Sequence, residues 1–294
     1  MRGSRWIELC FVLVILVFVA PPAPRSAQGQ APQSDLSQLT LRQREIARQR
    51  RRLASSDVDE RRDAVMQLGL MGQAESSRVA AIALTDPVPI VRATAARAVL
   101  SLQSDEAAAI LIPLLRDKKE FVRQEVAYAL GGSRSTKAIE ELVTALENDK
   151  QASVRGAAAI ALGLIGDESA SSHLARIIDP GFSGPKRYDQ KGSRKQEKDR
   201  FVQRSAARSL GQMRSRASVP ALIAAMTDKH FDNDVRREAA FALGLIGDIG
   251  AVPALREALA ASDAYLGQTA FDALRKISPA DAVIRRSEPK MKMK

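Results

Sequence analysis

The sequence has few of the residues on which disulfide-rich, all-β and metal-dependent proteins rely. Its 294 residues include one cysteine, two histidines and one tryptophan, and aromatic residues make up 4% of the chain. A disulfide scaffold needs more than one cysteine, and strands are enriched in aromatic residues. The composition therefore excludes a disulfide-stapled fold and argues against an all-β domain.

The two histidines, His173 and His230, belong to no recognisable catalytic or metal-binding motif. Metal sites need several converging histidine, cysteine or carboxylate ligands, and neither a Ser–His pairing nor a glycine-rich phosphate loop stands out. His230 lies in the acidic stretch 228–234, which lacks the glycine and the distal glutamate of a calcium loop. We interpret those acids as helix caps and predict no catalytic residues, no metal site and no cofactor.

Alanine and positive charge are abundant instead. The chain has 48 alanines and a formal net charge of +11, and alanine is the strongest helix former. The excess charge lies mainly in residues 35–56, 179–200 and 285–294, whereas the rest of the chain after residue 35 is slightly acidic. The basic N-terminal segment or tail could touch an anionic membrane surface or an acidic partner.

The first 27 residues are typical of a signal peptide. Arg2 and Arg5 precede an apolar run over residues 7–20, and Pro21 and Pro22 follow it. The run is shorter than the roughly 20 residues that span a bilayer. We expect an exported protein, periplasmic or extracellular, with residues 28–35 as a linker. The alternative is an uncleaved inner-membrane anchor formed by residues 7–20.

The rest of the chain repeats one pattern seven times. A residue pair, hydrophobic–arginine in the clearest copies, opens an alanine-rich stretch, which is best seen from Val154 to Gly166. The second residues of the pairs are Arg61, Arg92, Arg123, Arg155, Gln203, Arg236 and Gly267, and their spacing is 31–33 residues except for one step of 48. Each period also contains an amphipathic helix pattern such as that of residues 139–146.

A helical hairpin of this length cannot bury both of its faces, so consecutive hairpins must stack. We therefore predict an all-α solenoid over residues 36–278, with a basic loop insertion at residues 179–200 and a basic C-terminal tail at residues 279–294. Because glycine adopts a positive φ at little cost, we expect six glycines to end the second helix of their hairpins: Gly131, Gly132, Gly163, Gly166, Gly244 and Gly247.

The order Leu-x-x-Leu…Asp-x-x-x-x-Val-Arg-x-x-Ala-Ala-x-Ala-Leu-Gly-x-Ile-Gly resembles the HEAT-like repeats named after phycobilisome lyases. The resemblance implies a right-handed α-solenoid of about six or seven units. It also implies a non-enzymatic adaptor or scaffold, since most relatives have that role. A lyase or an oxidoreductase is the alternative, although neither histidine is followed by the glutamate of the iron-binding hydroxylases.

The resemblance further implies a structural role for the arginines that follow the hydrophobic residue. Arg92, Arg123, Arg155 and Arg236 are expected to pair with aspartates in the turns and so tie one hairpin to the next. The alternative is that they form an exposed basic row.

A helical wheel predicts a binding face on the second helices. If the hydrophobic residue of the pair is position 1, positions 1, 5, 8, 9 and 12 form the buried arc, and positions 3, 6, 7 and 10 face away from it. The resemblance places that outer face on the concave surface of the solenoid. The candidate partner-binding residues are Arg62, Met66, Arg97, Tyr128, Ile160, Arg204, Arg208, Arg237 and Phe241.

Exposed arginines and large apolar residues favour a protein or peptide as the partner. The alternative is that some of these residues pack against neighbouring repeats. A nucleic acid or an anionic surface is a second possible partner, but export and the scarcity of aromatic residues make nucleic acid the less favoured one.

Overall fold

The computed structural model describes residues 40–179, 181 and 200–282. Within these ranges the chain forms fifteen α-helices and no strand. They are α1 (Leu41–Arg52), α2 (Val58–Leu70), α3 (Ala74–Ala80), α4 (Pro89–Ala98), α5 (Ser104–Leu111), α6 (Glu120–Ser133), α7 (Ile139–Asn148), α8 (Ala152–Ile165), α9 (Ser171–Ile177), α10 (Arg200–Met213), α11 (Val219–Thr227), α12 (Asn233–Ile246), α13 (Val252–Ala258), α14 (Ala264–Ile277) and α15 (Pro279–Ala282).

The first fourteen helices form seven hairpins, in which each odd-numbered helix is followed by an even-numbered one. The even-numbered members, α2 to α14, are called the second helices here, and each packs on the next in series. Short 3-10 segments adjoin several of the first helices, at Ala81–Thr85, Ile112–Arg116, Thr136–Ala138, Glu168–Ala170, Arg216–Ser218 and Ile249–Ala251. The predicted all-α solenoid of six or seven units is confirmed.

Several sequence predictions lie outside the described residues. These are the signal segment, the linker up to residue 35, almost all of the insertion and the tail beyond residue 282. None of the helices that the structure describes is both long and apolar enough to cross a membrane.

The buried side of the second helices follows the predicted wheel. In α6, Val122, Val126, Ala129 and Leu130 occupy positions 1, 5, 8 and 9 and are almost completely buried. They pack in one continuous core with residues of the first helices, such as Leu142. The repeat pattern therefore encodes the core directly.

In α6, α8, α10 and α12, positions 6 and 10 correct the predicted wheel, because they are buried rather than outward-facing. The alanines at position 6 are inaccessible; they are Ala96, Ala127, Ala159, Ala207 and Ala240. At position 10, a Cβ atom added to Gly131 would lie 2.6 Å from the Cα atom of Ala161, which is position 8 of the next second helix. Glycine allows the two backbones to approach closely. A wheel drawn for a single helix does not include this contact.

The same packing corrects the expected role of several glycines. Gly131, Gly163 and Gly244 lie within their helices rather than at the ends. Gly166 and Gly247 follow α8 and α12 with φ angles of 77° and 76°, and so end these helices in the left-handed conformation as predicted. Helix α6 runs past Gly132 to Ser133.

The first four hairpins are joined by an arginine–aspartate ladder, which consists of the pairs Arg61–Asp86, Arg92–Asp117 and Arg123–Asp149. The Nε–Oδ2 distances are 2.7, 2.8 and 2.7 Å, and each arginine also donates to the second carboxylate oxygen. The predicted pairing of Arg92 and Arg123 with turn aspartates is confirmed.

Each arginine of the ladder also contacts the turn that precedes its own helix. Arg92 donates from Nη1 to the carbonyl oxygen of Asp86 at 2.7 Å, and Arg123 donates to that of Asp117 at 2.8 Å. The aspartate carboxylates accept in addition the backbone N–H of the residue two places on. Each guanidinium therefore links two successive turns.

Burial and hydrogen bonding oppose each other at the ladder aspartates. Burial alone would raise the pKa of Asp86, Asp117 and Asp149, because it disfavours the charged carboxylate. The hydrogen bonds from the arginine and from the backbone N–H outweigh it, and the pKa of each carboxyl is below its ordinary value.

The ladder changes after the fourth hairpin. Arg155 is 2% exposed and donates to the carbonyl oxygen of Asp149 at 2.8 Å. The predicted pairing of Arg236 with a turn aspartate is wrong, since its Nε donates to the carbonyl oxygen of Met226 at 2.9 Å. The pair with the next turn is made by Arg237, whose Nε lies 2.7 Å from Oδ2 of Asp263.

A longer turn before α12 accompanies this change. Within it, Asp228 accepts the backbone N–H of His230 at 2.8 Å, and Asp232 caps α12 by accepting the N–H of Asp234 at 3.0 Å. The helix-capping interpretation of the acidic stretch is confirmed for Asp232.

Candidate partner-binding cleft

The nine predicted partner-binding residues lie at the accessible edge of the second helices. Arg62, Met66, Arg97, Arg204, Arg208 and Phe241 are exposed, whereas Tyr128, Ile160 and Arg237 are half-buried. Positions 3 and 7 are one helical turn apart and therefore project to the same side. Accessible residues at these positions run along the whole series of second helices.

The structure brings four of the nine together in one cleft. This cleft is open, has a volume of about 320 Å³ and is formed by α10, α12 and α14. Its lining residues are Arg204, Arg208, Asp234, Arg237, Glu238, Phe241 and Thr269. The other five predicted residues, Arg62, Met66, Arg97, Tyr128 and Ile160, lie on α2, α4, α6 and α8 and do not line it.

Arg208 is held in place by a bidentate ion pair across two hairpins. Its Nε and Nη2 atoms donate to the two carboxylate oxygens of Glu238 at 2.8 and 3.0 Å. Glu238 is 8% exposed, and this ion pair compensates its buried carboxylate. The hydrogen bond with Glu238 raises the pKa of Arg208 above its ordinary value.

Arg237 is fixed by two carboxylates and one aromatic ring. It donates to both oxygens of Asp263 at 2.7 and 2.9 Å and to Oδ1 of Asp234 at 3.0 Å. Its guanidinium carbon lies 5.0 Å from the centroid of the Tyr265 ring, within cation–π range. The hydrogen bond from Arg237 lowers the pKa of Asp263, and the same bond raises the pKa of Arg237.

Arg204 and Phe241 are exposed side chains of the cleft that take no part in the ion pairs described above. Arg204 is exposed and forms no hydrogen bond or ion pair with any residue that the structure describes. The Phe241 side chain is 40% exposed, and Nζ of Lys276 lies 5.3 Å from the centroid of its ring. The cleft therefore presents one arginine available to a ligand and one accessible ring beside two fixed arginines.

The sequence analysis missed the acidic residues of this face. Arg97 pairs with Glu125 as Arg208 pairs with Glu238, which in both cases joins position 7 to position 4 of the next second helix. A glutamate at position 4 that follows an arginine at position 7 in the preceding repeat is visible in the sequence. Extending the wheel across two hairpins would have revealed it.

The arrangement can bind charged and apolar groups by direct contact. No group of three or more histidine, cysteine, aspartate or glutamate residues that could hold a metal ion occurs in the described ranges. His173 lies on a first helix, with Nδ1 2.7 Å from Oε1 of Glu147, and that oxygen also accepts from Arg176. His230 is an exposed turn residue next to Asp228.

Comparison with known protein families agrees with the HEAT-like repeats that the sequence indicates. The family model for HEAT repeats matches residues 50–131, 114–182 and 194–275. The X-ray structure of YibA from Escherichia coli is similar over 80% of this chain and 81% of that one, with 16% identity and a TM-score of 0.53. This likeness concerns the fold alone.

Two other solved structures are less similar to this chain. The complex of CpcE and CpcF of phycocyanin lyase from Nostoc covers 90% of this chain and 97% of that chain, with 23% identity and a TM-score of 0.46. Human deoxyhypusine hydroxylase covers 79% and 84%, with 21% identity and a TM-score of 0.39. No curated protein matches the sequence. Since the HEAT-repeat model matches more than half of its residues, the chain belongs to the HEAT-repeat family.

Proposed function

We propose that this protein is an exported, non-enzymatic scaffold that binds a protein or peptide partner along the exposed face of its second helices. The cleft between α10, α12 and α14 is the main contact site. The observation that carries the proposal is that Arg204, Arg208, Arg237 and Phe241 converge on one cleft. Arginine and aromatic residues dominate the energetics of many protein interfaces.

The fixed arginines make the cleft suited to binding. Arg208 and Arg237 are already oriented by bidentate contacts to Glu238 and Asp263. Ordering a long side chain on association costs about 0.5–1.5 kcal/mol. Since these two side chains are ordered in advance, a ligand would avoid most of that cost.

The proposal of a non-enzymatic role has support from the same contacts. The carboxylates that line or adjoin the cleft, Asp234, Glu238 and Asp263, are bound to arginines. A general base must instead be able to reach and accept a substrate proton. The cleft chemistry accordingly suits recognition.

Export is proposed from the sequence of residues 1–27. The basic start, apolar centre and proline-containing exit have the order of a signal peptide. Intact-mass analysis of the protein recovered from separated cell fractions tests this part. A mature exported protein that begins near residue 28 is expected, whereas an intact chain in the cytoplasmic fraction would contradict export.

The binding proposal is tested by selection from a random-peptide display library on the full-length protein. We expect enrichment of a peptide class on the wild type that is lost on the double variant Arg208→Ala/Phe241→Ala. Ile249→Ala is the matched control, because Ile249 is exposed but lies outside the cleft. Circular dichroism establishes that each variant is folded.

Two results would overturn the binding proposal. One is the absence of any enriched peptide, and the other is enrichment that survives in the folded double variant. Selective, salt-dependent retention of DNA in place of peptide would favour the alternative function of a nucleic-acid binder.

A further inference from the structure

We infer that the segment bound by the cleft is acidic, with one of its carboxylates on Arg204 and a neighbouring apolar side chain on the ring of Phe241. The inference rests on the proposed function, because it names the chemistry of the partner at the same site.

The balance of charge in the cleft favours an anionic ligand. Arg208 is paired with Glu238, and Arg237 is paired with both Asp263 and Asp234, so two of the three arginines take three carboxylates. Arg204 has no such match among the described residues, and Lys276 adds a further cation beside Phe241. A basic segment would therefore meet unbalanced positive charge, whereas a carboxylate would complement it.

The shape of the Arg204 guanidinium favours a carboxylate as the anionic group of the ligand. Its planar donors match the two oxygens of a carboxylate in a bidentate arrangement. Arg208 and Arg237 already form that arrangement within the protein. A ligand carboxylate on Arg204 would form the same bidentate ion pair that Arg208 and Arg237 form with carboxylates of the protein.

Phe241 defines the neighbouring side chain. The ring remains 40% exposed, and the other residues that line the cleft are charged apart from Thr269. Burial of an aromatic ring against an apolar side chain removes apolar surface from water and is therefore favourable. A leucine-sized side chain next to the ligand carboxylate would supply that contact.

The dimensions of the cleft limit the ligand to a short segment. A volume of about 320 Å³ is at the lower end of the range of small-ligand pockets. It accommodates a few side chains, as an extended peptide would offer.

A nucleic-acid backbone fits the same surface less well. Phosphates are bound by rows of cations from which counterions are released. Here Glu238 and Asp234 line the cleft together with the arginines. A phosphate chain would pass these carboxylates, whereas a peptide can place its acidic side chain at Arg204 alone.

The test uses fluorescence anisotropy with the full-length protein and four labelled probes. Three are eight-residue peptides that alternate leucine with glutamate, glutamine or lysine, and the fourth is an eight-nucleotide single-stranded DNA. A charge-assisted hydrogen bond contributes about 1.5–3 kcal/mol, which corresponds to roughly ten- to hundredfold in affinity. We expect the glutamate peptide to bind at least about tenfold more tightly than the glutamine peptide, by the lower end of that range.

Variants of Arg204 and Phe241 test whether these two side chains cause the preference for the glutamate peptide. Arg204→Glu and Phe241→Ala should each weaken binding of the glutamate peptide by about tenfold or more, by the loss of one charge-assisted or one apolar contact. The control Arg216→Glu, an exposed arginine of the α10–α11 connection, makes the same charge change outside the cleft and should leave affinity unchanged. Circular dichroism shows whether each variant is folded.

The outcomes separate this inference from the proposed function. Equal binding of the glutamate and glutamine peptides, or equal loss on Arg204→Glu and Arg216→Glu, would overturn the acidic preference but leave peptide binding intact. Tighter binding of the DNA probe would overturn the peptide assignment. Failure of every peptide, in these assays and in the display selection, would overturn both proposals.

Discussion

The first four hairpins and the last three use arginine in different places. In the first group, Arg61, Arg92 and Arg123 occupy position 2 and are largely buried in the ladder between turns. In the last group, Arg237 at position 3 takes over the contact with the next turn, and its guanidinium lines the cleft. One repeat sequence therefore produces two kinds of surface.

The difference shows how a single position changes the role of a residue. Successive side chains are about 100° apart around a helix. In α12 the arginine at position 3, Arg237, makes the contact with the next turn and has a more exposed side chain than Arg123 at position 2. The ladder arginines are held between turns, whereas Arg237 keeps a carboxylate partner and also lines the cleft.

The largest expected effect concerns packing that both groups share. Gly131→Val should lower the free energy of unfolding by about 3 kcal/mol, because its Cβ would overlap the backbone of Ala161. Gly244→Val should give a similar loss in the last group, since its Cβ would lie 2.9 Å from the Cα atom of Ala273. Urea denaturation measures both.

The adjacent glycine is the matched control for that prediction. A Cβ on Gly132 would meet only Leu100, at an ordinary contact distance of 3.4 Å. Gly132→Ala should therefore stabilise the protein by about 0.5–1 kcal/mol through the higher helix propensity of alanine. Similar destabilisation by the two changes at 131 and 132 would contradict the close helix contact.

Removing the aspartate that pairs with an arginine of the preceding hairpin should destabilise the first group of hairpins more than the last group. Asp149→Ala should cost about 2 kcal/mol, because it leaves the guanidinium of Arg123 without its charged partner in a largely buried site. Asp263→Ala should cost less, since the side chain of Arg237 is 31% exposed, against 15% for Arg123, and retains Asp234. Equal losses of unfolding free energy in Asp149→Ala and Asp263→Ala would contradict the difference between the buried and the more exposed ion pair.

The ladder should also make stability depend on acid pH. The pKa of Asp149 is lowered in the folded protein, so the unfolded chain binds the proton more readily. Its contribution is present above the unfolded pKa of about 3.9 and is lost as the pH falls through the lower folded value. Asp149→Asn should weaken the fall in the urea midpoint between neutral and acid pH. An unchanged pH profile would show that the pair contributes nothing.

The smallest effect on stability is expected at Arg204. This side chain is exposed and has no ion-pair partner among the described residues, so Arg204→Glu should change the unfolding free energy by less than about 0.5 kcal/mol. Arg123→Glu, at the buried junction, should be strongly destabilising. Equal stability of Arg204→Glu and Arg123→Glu would contradict the difference in burial between an arginine at position 3 and one at position 2.

The fold was predictable from the sequence because each repeat specifies its core locally. The pattern of Val122, Val126 and Leu130 predicts the buried side of α6, and the resemblance to HEAT-like repeats implied the arginine–aspartate pairs of the ladder. Contacts between successive second helices were not predictable from one helix, and Gly131 was therefore assigned to a helix end. The contact of Arg237, rather than Arg236, with Asp263 was likewise not predictable from one helix.

The candidate site was predictable only in part. Positions 3 and 7 identified Arg204, Arg208, Arg237 and Phe241, but the wheel could not distinguish them from Met66 or Tyr128 on the earlier helices. Which of them converge depends on the geometry between hairpins. That geometry also supplies Glu238, which turns Arg208 from a free cation into a fixed one.

Photo-crosslinking with the glutamate–leucine peptide tests the central claim most directly. A photoreactive leucine analogue in the peptide is crosslinked to the full-length protein, and the adducts are located by mass spectrometry. Binding in the cleft predicts adducts on α10, α12 and α14 near Arg204 and Phe241. Adducts centred on Met66 and Tyr128 would contradict it and place recognition on the first four hairpins.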